Sequence, residues 1–217
     1  MFRNPALRTT GLSLGVLTLS ATAAAAHPHV FAEARMEIVV GKGGTIEALR
    51  HVWRFDELFS SMVLLDFDDN ANLKLEPEEL EEVGNVVRRS LADFNYYTAV
   101  SQNGANIPID RPERIHVDFR DGQILMFFVV SPSQEMSLNG LLSFGAYDPT
   151  MYTALDFVSD TDLVIDGEAT ACTRAVIRPD PDEVLAQNRE SLTEAFFSDP
   201  GGNDFSKFFA TRLELTC

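Results

Sequence analysis

Cysteine and histidine are scarce in this chain. The two cysteines, Cys172 and Cys217, form no CxxC pair, and only four histidines occur in 217 residues. Without a CxxC pair, dithiol redox chemistry is not expected. Basic residues are also few, 17 Lys and Arg against 33 Asp and Glu, for a formal net charge of −16. Phosphate binding needs clustered Lys and Arg, so nucleic acid is not an expected partner. No segment after residue 26 approaches the ~20 apolar residues that a membrane-spanning helix needs. The chain has no GxSxG, no HExxH, no P-loop and no cysteine nucleophile beside a histidine, so an enzyme is not expected. Internal repeats and low-complexity tracts are absent beyond the first 26 residues.

Residues 1–26 carry Arg3 and Arg8 and no acid, followed by the apolar run GLSLGVLTLSATAAAA. A short apolar core that ends in small residues predicts a secretory signal peptide, cut between Ala26 and His27. An uncleaved anchor is the alternative. Cleavage leaves 191 residues at 27–217, the length of one α+β domain, with 15 basic residues against 33 acidic ones and a net charge of −18. The expected location is a bacterial periplasm. An oxidising compartment favours a Cys172–Cys217 disulfide over two free thiols.

Beyond the predicted cut, VFAEARMEIVV and TIEALRHVWRF flank GKGG and predict a β-hairpin. FDELFSSMVLLDF and EPEELEEVGNVVRRSLADF have helical spacing, with Pro77 and a cluster of acids opening the second helix. RIHVDFRDGQILMFFVV predicts a second hairpin with a type I′ turn at Asp121–Gly122. LLSFGAY, TALDFVS, CTRAVI and ATRLELTC continue the strands, and PDPDEVLAQNRESLTEAFF predicts a helix near the carboxyl end. The expected fold is α+β: an antiparallel sheet or sandwich with a helix pair inserted at about 56–95, after the first hairpin.

The loop of that helix pair, DDNANLKLEPEE, aligns with an EF-hand loop. Asp68, Asn70, Asn72, Lys74, Glu76 and Glu79 fall on ligand positions 1, 3, 5, 7, 9 and 12. Leu73 stands where such loops turn on glycine, and positive φ is costly for leucine. The two asparagines also bring less charge than aspartates. The sequence therefore predicts weak or no calcium binding.

Two of the four histidines sit together in AAAAHPHVF. At a free amino terminus, His27 offers an amine and an imidazole, and His29 adds a second imidazole, a donor set suited to zinc, nickel, cobalt or copper. Pro28 has no amide hydrogen, which excludes chelation through deprotonated amides of residues 2 and 3. If GKGG closes the hairpin in simple register, facing residue numbers sum to about 85. His29 then faces Asp56, and His51 faces the region of Ala34, more than ~10 Å from His29. Asp56 is the preferred additional ligand on that register, and a bulge would change it.

HPHVF, RHVWRFDELFS, DDNANLKLEPEE, YDPTMY and the terminal LTC, taken in order, resemble the exported bacterial family catalogued as domain of unknown function 1007. The resemblance covers essentially the whole chain after residue 26. It implies a metal-handling accessory protein, the periplasmic component of an ABC-type transport system that works with a nickel- or cobalt-type membrane permease. It points to His27, His29, His51, Asp56 and Asp148 as metal ligands. A chain of 191 residues with short strands does not supply the two lobes of a typical solute-binding protein, so a small carrier or sensor is the expectation. The competing expectation is a structural or interaction module whose helix pair docks onto a partner.

Overall fold

The computed structural model describes residues 28–189 and 205–217. The predicted signal peptide, His27 and the later part of the predicted carboxyl-terminal helix lie outside the described residues. Eleven strands are described, and they form two sheets. One has the order β5 (Ile115–Arg120), β6 (Gln123–Val130), β2 (Ile46–Phe55), β1 (Val30–Val40), β8 (Thr153–Asp156), with β9 (Leu163–Asp166) also on β1. The other runs β10 (Thr173–Ile177), β11 (Arg212–Thr216), β7 (Leu141–Ala146), β3 (Thr98–Gln102), β4 (Ala105–Asn106).

The fold is the expected α+β. Two pairings depart from the antiparallel expectation: β8 and β9 both run parallel to β1. Parallel neighbours need a long crossover, and more than a hundred residues separate β1 from β8.

Strand alternation places the core. In β1, Val30, Ala32, Ala34, Met36, Ile38 and Val40 point inward while Phe31, Glu33 and Arg35 stay exposed. In β2, Leu49, His51, Trp53 and Phe55 are buried and Arg50 and Arg54 are exposed. Leu142, Phe144, Leu213 and Leu215 supply the buried face of the second sheet. His51 of β2 lies 3.1 Å from the Thr98 hydroxyl of β3, so the two sheets meet there face to face.

The hairpin register differs from the expected one. Facing numbers sum to 87, as in Ala32↔Phe55 and Met36↔His51. The turn closes between Gly41 and Thr45, with the Gly41 N–H donating to the Thr45 carbonyl at 2.8 Å, which leaves Lys42, Gly43 and Gly44 in the loop. That closure adds one to the sum. An irregularity at Val39/Val40 adds the other.

Two helices follow this hairpin, α1 (Glu57–Phe67) and α2 (Pro77–Ser90). Asp56 caps α1, accepting from the Phe59 N–H at 2.9 Å. Glu76 and Glu79 form a reciprocal capping box on α2, with Pro77 at its first turn. The Ser60 hydroxyl accepts from the Ile124 N–H at 2.9 Å and fixes α1 on β6. Gly84 brings α2 against β5, where a Cβ would overlap the Ile115 carbonyl oxygen. The edge strand is thereby covered by a helix, which protects it from pairing with another chain. At the far side, Cys172 and Cys217 form a disulfide that joins the ends of β10 and β11, with a Cα–Cα distance of 4.2 Å. A helix α3 (Pro181–Gln187), capped by Asp180, begins where the carboxyl-terminal helix is predicted.

Gly84→Ala is expected to destabilise the protein by about 1–3 kcal/mol through overpacking against β5. Urea unfolding checks this, and an unchanged midpoint would contradict the close approach of α2.

Candidate functional site

The Asp148 carboxylate is 1% exposed. It follows β7 at the start of YDPTMY, where a turn doubles back into β8. One oxygen accepts from the Thr150 N–H and hydroxyl, both at 2.7 Å. The other accepts from the Thr153 N–H at 2.9 Å. Asp148 thus accepts three hydrogen bonds, all from neutral donors, and the Tyr97 phenol lies close enough to feel its charge. Such donors stabilise a buried charge where no cation is paired with it. Burial first, and the Asp148 charge second, push the Tyr97 phenol above its usual range. The Tyr97 ring also stacks on Trp53, with centroids 6.1 Å apart.

This carboxylate joins the two sheets, because Asp148 follows β7 and its partner Thr153 opens β8. It also fixes the start of β1. Thr153 is the parallel partner of Val30, and the His29 and Val30 N–H groups both donate to the Tyr152 carbonyl, at 2.9 and 3.2 Å. The His29 imidazole is exposed and lies 5.2 Å from the Tyr152 ring, centroid to centroid. His27 lies outside the described residues. Its covalent neighbour Pro28 lines a cavity of about 300 Å³ together with Asp148, Thr153, Asp156, Phe209 and Ala210.

Asp56 stands opposite Phe31 and not His29. Its second oxygen accepts from the Phe31 N–H at 2.9 Å, and its own N–H donates to the Phe31 carbonyl at 2.9 Å. The expected His29–Asp56 pairing is corrected by the two-residue register shift described above. Asp56 serves as a helix cap and a strand clamp.

His51 lies inside the sandwich, 1% exposed, stacked on Phe128 at 4.7 Å. Its strand partner is Met36, seven residues along β1 from His29, a separation of roughly 23 Å. The Thr98 hydroxyl donates to the Tyr96 carbonyl at 3.1 Å. Having one proton, it must accept from His51, so Nε2 carries the imidazole hydrogen. Nδ1 is then a buried lone pair with no hydrogen-bond partner among the described residues. Burial lowers the His51 pKa to about 3, and the ring is neutral at ordinary pH.

The loop between α1 and α2 closes on its own amides. Asp68 accepts from the N–H groups of Asn72 and Leu73 at 3.1 and 2.6 Å. Asn72 Oδ1 accepts from the Lys74 N–H at 2.9 Å. Glu79 accepts from Asp69 and Glu76 N–H groups at 3.0 and 2.8 Å. Glu76 accepts from the Asn72 and Asn70 side-chain amides at 2.6 and 3.1 Å, and the Asn72 bond is the main cause of its lowered pKa. Leu73 takes φ +63° and Ala71 +55°, so the chain adopts the left-handed conformation that the sequence marks as costly. Among the described residues, no group of three or more His, Cys, Asp and Glu side chains is assembled to hold a metal ion. No described helix is long and apolar enough to cross a membrane.

Sequence reasoning missed Thr150 and Thr153 as partners of Asp148, the Tyr97 phenol near it, and Asp156 as a second carboxylate at the cavity. The DPT turn in YDPTMY was the available signal, since Asp before Pro favours a turn that its side chain closes.

The fold places the chain among two-sheet α+β proteins. The profile of the family described as "Protein of unknown function (DUF1007)" matches residues 12–217, and the chain belongs to that family. It is also 24% identical over 209 residues to a protein of Haemophilus influenzae described as uncharacterized, covering 95% of this chain and 94% of that one.

The sign of the His51 contribution follows from its lowered pKa. Its unfolded value is 6.5, so between pH 6.5 and about 3 the unfolded chain binds a proton that the folded chain does not. The stability from neutral His51 is complete above pH 6.5 and lost as pH falls, at up to about 1.4 kcal/mol per pH unit. His51→Phe is expected to remove that slope from the pH dependence of urea unfolding. An unchanged slope would show that other groups carry it.

Proposed function

We propose that this protein is an exported metal-binding accessory protein, a carrier, sensor or binding component that works with a transition-metal permease. The metal is zinc, nickel, cobalt or copper. Export rests on the leader-like residues 1–26 and is supported by the Cys172–Cys217 disulfide, a bond that oxidising compartments favour. His27, freed as the first residue, and His29 are the principal ligands.

The observation that carries this reading is the cavity that Pro28 lines beside Asp148 and Asp156. His27 is joined covalently to Pro28, and the field of the two carboxylates at this cavity attracts a cation. Asp156 is the better direct ligand. Asp148 is held by three donors, so its part is to hold the turn and supply charge. Asp56 and His51, each committed to local hydrogen bonds, take structural roles in this reading. The α1–α2 loop is assigned weak or no calcium binding, because amides already occupy its carboxylates.

Titration calorimetry of the mature protein with zinc, nickel and copper is expected to give binding that His27→Ala/His29→Ala abolishes and that Asp156→Asn weakens by about tenfold or more. Undiminished affinity in the double histidine variant would overturn the proposal.

A further inference from the structure

Helix α1 leaves an apolar stripe uncovered. It packs inward through Ser60 and Val63, with Phe59, Leu64 and Phe67 partly buried. Leu58, Met62 and Leu65, at spacing i, i+4 and i+7, form one outward face and are 71%, 44% and 71% exposed. Phe31, 54% exposed, adjoins the start of this stripe, because its N–H is held by Asp56, the cap of α1. Helix faces turned to solvent are ordinarily polar, and this one is not. The spacing is that of a helix whose anchors enter a groove on another protein.

Charge selects the occupant. The sequence of α1 contains no Lys or Arg, and both its acids, Glu57 and Asp66, are exposed. Asp69 adds a third exposed acid just beyond its end. A second copy would bring the same acids against themselves, and the chain's net charge of −16 adds to that repulsion. An anionic lipid surface is disfavoured for the same reason. We infer that α1 docks, through Leu58, Met62 and Leu65, into an apolar groove of a partner protein whose rim carries Lys and Arg. The inference does not depend on metal binding.

The test starts from the full chain, with p-benzoylphenylalanine replacing Met62, photo-crosslinked in the cells that make it. The expected result is an adduct with one second protein. That protein, once identified and purified, binds the unmodified full chain. Leu58→Ser/Leu65→Ser is expected to weaken this binding roughly tenfold or more. Glu57→Lys/Asp66→Lys is expected to weaken it too, and wild-type affinity is expected to fall between about 0.05 and 0.5 M salt. All the substituted side chains are exposed, so both variants should keep the wild-type melting temperature. The inference is overturned by the absence of an adduct, or by an adduct with lipid, with another copy or within the same chain. Affinity indifferent to the apolar pair, or to both charge reversal and salt, also overturns it.

Discussion

A single buried carboxylate ties this structure together. Asp148, in the turn after β7, accepts hydrogen bonds from Thr150 in the same turn and from Thr153, the first position of β8. Strands β7 and β8 lie in different sheets. Stacking of sheets by apolar contact is non-directional, whereas three hydrogen bonds to one carboxylate fix their relative position. A buried ion with fewer donors would be unfavourable, so the set forms as a unit.

The consequence reaches the beginning of the described chain. Because Thr153 is held, β8 can run parallel to β1, and the Tyr152 carbonyl can take the N–H groups of His29 and Val30. The strand is therefore hydrogen-bonded from its first residue. Any ligand function assigned to the histidines depends on this anchoring, since a metal site needs donors whose positions are already restricted. Among the described residues, the buried His51 offers no comparable opportunity. His51 is locked by Thr98 and Phe128 and kept neutral by burial, so it works as a polar contact between sheets.

Much of the secondary structure was legible in the sequence because its signals are local. Asp121 and Gly122 take positive φ, as a type I′ turn requires, and join Arg120 to Gln123 in register. Pro77 and the acids after it open α2, and the cysteine pair falls at the ends of paired strands. What the sequence did not convey was long-range. The hairpin register depended on where the turn closes and on an irregularity at Val39/Val40, and a two-residue error moved Asp56 from His29 to Phe31. The parallel pairing of β8 and β9 with β1, and the approach of Tyr97 to Asp148, join residues too distant for periodicity to connect. Leu73 was expected to disfavour a left-handed turn, and the loop takes that conformation nonetheless, with Asp68 accepting from its N–H.

Hydrogen exchange of the Asp148→Asn protein, followed residue by residue, tests the role of Asp148 most directly. This variant keeps the shape of the side chain and turns one acceptor oxygen into an amide nitrogen that cannot accept. The account predicts faster exchange at the amides of Thr153, Val30 and His29, with protection in β2 and β6 retained. Unchanged protection at those three amides would mean that the carboxylate does not hold the start of β1 in place.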